Sequence, residues 1–260
     1  MPQVEPVLIF DLDGTIIRRN SFPIWATTML GLRNHRLTLR QRVALSLAVQ
    51  RLLLARKLRR LDHDSLLRQL QGLWRAAAAL PNVTIAEHLQ TRLVRLVRPN
   101  LVPILRLVAD SAMDGVLATA AAGDYAIPLG RTLGFSTIIA TTVERRPEEP
   151  HNSGTHKRDR VLALLRDRGW SERPRIFFTD HPDDLPLMQE SQAVCWFGSD
   201  RRLREATAAA PGVRFLPCRA MRPNELSATI AHLGQSLASA QLAKMPWLFP
   251  VTRPRARTVS

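Results

Sequence analysis

Phe10-Asp11-Leu12-Asp13-Gly14-Thr15 follows directly on the apolar run Val7 to Phe10. A short apolar run that ends in a turn reads as a buried parallel strand, and in open α/β sheets ligands bind at the carboxyl ends of such strands. The two-residue period of a strand puts Asp11 and Asp13 on the same side, and Gly14 lets the chain turn sharply. One carboxylate can then attack a phosphorus while the other handles the proton of the leaving group. Asp-x-Asp-Gly also opens calcium loops, but such a loop needs a bidentate Glu where this chain has Phe22.

Outward from this point the chain repeats the theme of an apolar strand ending in a polar tip. Gly115 to Ala118 runs into Thr119-Ala120-Ala121, so that the Thr119 hydroxyl and the Ala120 N–H can hold a phosphoryl oxygen. Gly154-Thr155-His156-Lys157 opens a helix that continues through Val161 to Leu165. Lys157 is one of only three lysines among 37 basic residues, and lysine acts as a compact point charge on phosphate. His151 and His156 have no further ligands nearby and read as surface histidines. Ile176-Phe177-Phe178-Thr179-Asp180 is a second strand ending in acid, and Asp184 can reach back from the loop that follows. Together these offer the hard oxygen ligands that magnesium prefers.

In this order the four motifs resemble those of the haloacid dehalogenase superfamily of phosphatases and phosphotransferases. Tyr125-Ala126-Ile127-Pro128-Leu129 and Leu133-Gly134-Phe135 are similar to its phosphoserine-phosphatase-like branch, which carries a helical cap between the first and second motifs. The resemblance implies an α/β fold with a doubly wound, Rossmann-like parallel sheet. It implies that Asp11 is the nucleophile, forming an aspartyl-phosphate, and that Asp13 is the acid and base. Mg²⁺ would be held by the Asp11 carboxylate, the Asp13 carbonyl and Asp180, with Asp184 orienting a metal-bound water or Lys157. Thr119, Ala120 and Lys157 would bind the phosphoryl group. The chain departs from the pattern at Ala121, where many relatives carry a second hydroxyl, and at Thr179 and His181, where they often have Gly and Ser.

The expected division is a catalytic core of residues 1–15 and 101–250, a helical cap of residues 16–100 and a basic tail of residues 251–260. In the cap, Thr38 to Gln41 and Thr84 to Glu87 are capping-box patterns ahead of amphipathic runs. Asp64 and Ser65 open a third helix that Pro81 stops, and Phe22 to Leu32 suggests a fourth. Ala193 to Phe197 reads as a further core strand and Asp200 to Arg204 as the start of a helix. Beyond about Pro217 no motif is evident.

Charge is unevenly spread. Residues 16–100 carry sixteen Lys and Arg against Asp62, Asp64 and Glu87, a net +13 out of the chain's +15. Arg51, Arg56, Lys57, Arg59 and Arg60 cluster where basic side chains also suit a helix C-terminus. This basic region either is a solvated surface or attracts an anionic substrate or an anionic membrane by peripheral contact. No apolar stretch reaches the roughly 20 residues of a transmembrane span. One Tyr and no aromatic-basic interleaving give single-stranded nucleic acid little to stack on, while binding of a basic helix to duplex phosphate stays open. Cys195 and Cys218 form neither a metal pattern nor a disulfide framework, and with the first motif ten residues from Met1 a cytoplasmic location is expected.

The substrate implied is a small-molecule or lipid phosphomonoester. Phosphoserine phosphatases place an acid soon after the first motif to meet the substrate amine, and this chain has Arg18-Arg19-Asn20-Ser21 there. An anionic ester is favoured instead, with a lipid head group such as phosphatidylglycerophosphate ranking beside sugar or nucleotide phosphates. A non-enzymatic module that binds anions or nucleic acid through the basic cap would be marked by a lost catalytic acid, and all are present.

Overall fold

The apolar tetrapeptide Val7–Phe10 forms β1, the strand around which the sheet is built. In the computed structural model, which describes residues 5–29, 38–79, 85–142 and 151–243, β1 pairs in parallel with two strands. On one side is β2 (Gly115–Ala122) and on the other β4 (Arg175–Thr179). With β3 (Thr137–Thr141), β5 (Ala193–Trp196) and β6 (Arg214–Pro217) the sheet reads β3-β2-β1-β4-β5-β6, all parallel. The winding reverses between β1 and β4, which places a crevice at the carboxyl end of β1.

Alternation along the strands sends side chains to two separate apolar layers. Leu8, Phe10, Leu117, Ile176 and Phe178 face one layer, and Val7, Ile9, Val116, Phe177 and Val194 face the other. Phe10 stacks on Phe178 at 4.3 Å and meets Phe135 edge-on at 5.4 Å, which fixes the strand just ahead of Asp11.

Among the described residues the insert after β1 holds α1 (Ser21–Met29), α2 (Leu39–Lys57), α3 (His63–Ala78) and α4 (Ile85–Val94). The chain entering them at Ile16 to Arg18 pairs with the chain leaving at Leu96 to Arg98. Arg18 N donates to Leu96 O at 3.0 Å and Arg98 N to Ile16 O at 2.8 Å. Thr38 and Gln41 cap α2 reciprocally, the Gln41 N–H on Thr38 Oγ1 and the Thr38 N–H on Gln41 Oε1. The third helix starts earlier than Asp64. Asp62 caps it by accepting from Ser65 N at 2.8 Å and from Ser65 Oγ at 2.6 Å, because that carboxylate reaches an otherwise unpaired amide of the first turn. Thr84, residues 30–32 and the basic tail 251–260 lie outside the described residues.

The expected amphipathic reading of α2 needs correction. Leu45, Val49, Leu52 and Leu53 pack inward, but Leu39, Val43, Leu47 and Leu54 are exposed, so the helix is apolar on two opposite faces.

After the insert come α5 (Val102–Ala109), α6 (Gly123–Thr132), α7 (Gly154–Asp167), α8 (Leu185–Gln189), α9 (Asp200–Ala209) and α10 (Pro223–Ala243). Trp25 of α1 packs on Tyr125 of α6 at 5.4 Å, so the apolar layer runs unbroken from the sheet into the insert. Asp124, on the first turn of α6, accepts from Gln71 Nε2 at 2.7 Å and from Arg75 Nε at 3.0 Å, which ties α3 to the same place. Among the described residues no helix is long and apolar enough to cross a membrane.

Candidate active site

A cleft of about 620 Å³ opens at the carboxyl end of β1. Asp11, Asp13, Thr119, Ala120, Lys157, Asp180 and Asp184 all line it, although the chain separates the first from the last by more than half its length. Parallel pairing explains the gathering, because β1, β2 and β4 end side by side and each tip delivers its polar residues to one place.

Lys157 is the hinge of the arrangement. It sits on the first turn of α7, where a cation opposes the helix dipole. Two carboxylates offset that: Nζ lies 2.9 Å from Asp11 Oδ1 and 2.6 Å from Asp184 Oδ1. Burial pulls the ammonium's pKa down, but these two anions outweigh it and hold the group above its ordinary value. The second oxygen of Asp184 accepts from Thr179 Oγ1 at 2.6 Å. Asp184 is thus taken up on both oxygens, one by Lys157 and the other by Thr179. Thr179, a departure from the common Gly, supplies part of that hold.

Asp13 is fixed differently. Its carboxylate accepts from Ser21 N at 2.8 Å and from Ser21 Oγ at 3.0 Å, and Ser21 Oγ is bonded to Tyr125 OH at 2.7 Å. Burial pushes Asp13 up to about 6 despite the two Ser21 bonds that favour its charged form. Burial also raises Asp11 against the pull of Lys157, with Asp184 and Asp13 adding to the rise. Asp180 is raised by burial as well, and Thr15 Oγ1 approaches its Oδ1 at 3.4 Å. Gly14 has φ +74°, and a Cβ there would collide with the Asp180 carboxylate, so only glycine lets the two strand tips come this close.

At the tip of β2 the pairing with β3 loses register between Ala118 and Ala122, which takes Thr119 and Ala120 out of the regular ladder. Thr119 is buried, its Oγ1 accepting from Ala121 N at 3.1 Å, while Ala120 is exposed to the cleft. Asn152 braces this corner by donating to Thr119 O at 2.9 Å and to Ile139 O at 3.2 Å. Arg98 clasps the loop after Asp13, with Nε on Thr15 O at 2.8 Å and Nη2 on Gly14 O at 2.7 Å. Ser21, Asn152 and Arg98 belong to none of the sequence motifs. Their single available signal is position, at the start of a helix, before α7 and at the end of the insert.

Four carboxylates surround one ammonium here. Asp13 has its side chain occupied by Ser21, leaving its carbonyl, while Asp11 and Asp180 offer carboxylate oxygens across the space that Gly14 keeps open. Among the described residues no three His, Cys, Asp or Glu side chains are placed to hold a metal ion by themselves, so what is on offer is two carboxylates and one carbonyl. That donor set fits Mg²⁺, which takes one or two carboxylates and retains several waters.

No curated protein matches the sequence. Among solved structures, a protein of unknown function from Bordetella pertussis Tohama I is similar at 20% identity, covering 82% of this chain and 98% of its own, with a TM-score of 0.60. A "probable phosphoserine phosphatase" from Vibrio cholerae is 14% identical over 94% of this chain and 68% of its own, with a TM-score of 0.59. A HAD family hydrolase from Salmonella enterica serovar Typhi is 15% identical over 83% and 69%, with a TM-score of 0.51. The family profile of haloacid dehalogenase-like hydrolases matches residues 8–189, and the chain belongs to that family.

Proposed function

We propose that the chain is a Mg²⁺-dependent phosphatase that hydrolyses an anionic phosphomonoester through an aspartyl-phosphate. The observation that carries this reading is the placement of Lys157 between Asp11 and Asp184, with Asp13 held by Ser21 in the same cleft. Bound Mg²⁺, on Asp11, Asp180 and the Asp13 carbonyl, would supply positive charge against the phosphoryl oxygens and favour the ionised form of Asp11.

An Asp11 carboxylate oxygen attacks phosphorus, the bond to the alcohol oxygen breaks, and Asp13 gives that oxygen its proton. Asp13, now a carboxylate, takes a proton from the water that attacks the aspartyl-phosphate, releasing phosphate and restoring Asp11. Lys157 neutralises the transferring group, while the Thr119 hydroxyl and the Ala120 N–H orient it, so that catalysis is largely positioning and charge stabilisation. Residues 16–100 act as the cap over a core of 1–15 and 101–250, and Arg18 and Arg19, which line the cleft, meet a second anionic group of the substrate. A lipid-borne phosphate is the second reading, favoured by the +13 of residues 16–100.

Asp11→Asn keeps the size of the side chain and removes the attacking oxygen. Turnover of phosphomonoesters should fall by about 10² or more with the fold intact by circular dichroism. A variant retaining over about a tenth of the wild-type rate would contradict the nucleophile assignment.

A further inference from the structure

Five of the seven large apolar side chains that stand exposed among the described residues lie on α2 and its C-cap. They are Leu39 (69% exposed), Val43 (49%), Leu47 (48%), Leu54 (55%) and Leu58 (54%). At about 100° per residue these five fall within roughly 100° of arc, opposite the face that Leu45, Val49 and Leu52 bury. By the same count Lys57 sits at one edge of the stripe and Arg40 and Arg51 at the other. Exposed Gln50 falls inside the same arc and divides the stripe into Leu39, Val43 and Leu47 on one side and Leu54 and Leu58 on the other. Exposed apolar side chains gathered on one helix face mark an interaction surface.

The charge around the stripe selects the occupant. Between Thr38 and Leu61 there are seven basic residues and no acid. Two copies of the chain meeting through this face would set cation against cation at close range, which disfavours self-association. Duplex nucleic acid would satisfy the arginines and lysine but would leave a row of Leu and Val against phosphate. An anionic bilayer satisfies both parts at once. Apolar side chains enter the boundary between head groups and acyl chains, and the long basic side chains reach outward to the anionic head groups.

We infer that the outer face of α2 docks the protein on an anionic lipid surface, lying in the interface plane with Leu39, Val43, Leu47, Leu54 and Leu58 inserted. The stripe belongs to no part of the cleft, so this surface stands or falls independently of the phosphatase reading.

The test is co-sedimentation of the full chain with vesicles of phosphatidylcholine alone or with about a third phosphatidylglycerol, at physiological salt, where exposed charges are screened over about 8 Å. Binding to the phosphatidylglycerol vesicles should be at least about tenfold tighter than to phosphatidylcholine alone, and Leu47→Ser with Leu54→Ser should weaken it by about tenfold or more. Thermal unfolding confirms that the variant is folded. If it is not, Leu39→Ser with Leu58→Ser at the helix ends carries the same expectation. Arg51→Gln with Lys57→Gln should reduce the preference for phosphatidylglycerol. Absence of binding, equal binding to both vesicles, or wild-type binding by the folded leucine variants would overturn the inference. So would a dimer in sedimentation velocity that the leucine variants dissolve, or duplex DNA competing equally for wild type and variants.

Discussion

Ser21 is the first residue of α1, yet its main partner is Asp13, which it holds with a backbone and a side-chain hydrogen bond while Tyr125 engages its hydroxyl. Donors aimed at a carboxylate favour its charged form, and these bonds therefore pull Asp13 down from where burial alone would set it. Ser21→Ala removes one of the two. Asp13 should then hold its proton to higher pH, so the alkaline limb of kcat/KM moves upward, while kcat falls because the acid is less well aimed. A pH–rate profile of both proteins checks this, and a limb that stays put or moves down would count against Asp13 as the titrating acid. This contact was not legible in the sequence. The helix read from the sequence begins at Phe22, and nothing in the spacing of eight residues says that the serine ahead of it turns back to the first motif. Thr179 was visible as a departure from its motif, but its bond to Asp184 needed the strand tip and the following loop to be placed together.

At the scale of elements, strands that end in chemistry and helices that open on a cap pattern were readable, and the motif-free last helix was not. The tips of β1, β2 and β4 announce themselves by apolar runs meeting Asp11, Thr119 and Asp180. The last helix, α10, carries no motif, yet Leu226, Ile230 and Leu233 are buried in the same apolar layer as β1. Their spacing of four and three residues is helical, but Ala, Leu and Ser recur on every side of the segment and blur the stripe. Ile230→Ala should cost about 2–5 kcal/mol of folding free energy, read as a lower urea midpoint at unchanged slope. A loss below about 0.5 kcal/mol would mean that α10 is a dispensable appendage. In α2 the apolar residues were all visible, and what the sequence lacked was which of its two faces the rest of the chain would cover.

Across the whole molecule, positive charge concentrates in the insert and negative charge in the cleft, where Asp11, Asp13, Asp180 and Asp184 face Lys157. Burial raises three of those carboxylates, and a cation bound among them would favour their ionised forms. Mg²⁺ should therefore raise the thermal midpoint over that in chelator, by about 2.7 kcal/mol of stability at a hundredfold excess over its dissociation constant. Asp180→Asn should be at least as stable as wild type in chelator and should gain less from the ion. An unaltered gain would remove Asp180 from the metal site. Finally, the paired chain at Ile16 to Arg18 and Leu96 to Arg98 holds the loop after Asp13 from both of its arms. Ser21, at the start of α1 just past the incoming arm, grips Asp13, and Arg98 of the outgoing arm grips Gly14 and Thr15. If residues 16–100 move as the proposed cap and Asp13 is the proposed proton donor, the two arms couple the pivot of the one to the aim of the other, so a change at this pivot should disturb capture and turnover in a single stroke, with KM and kcat moving together.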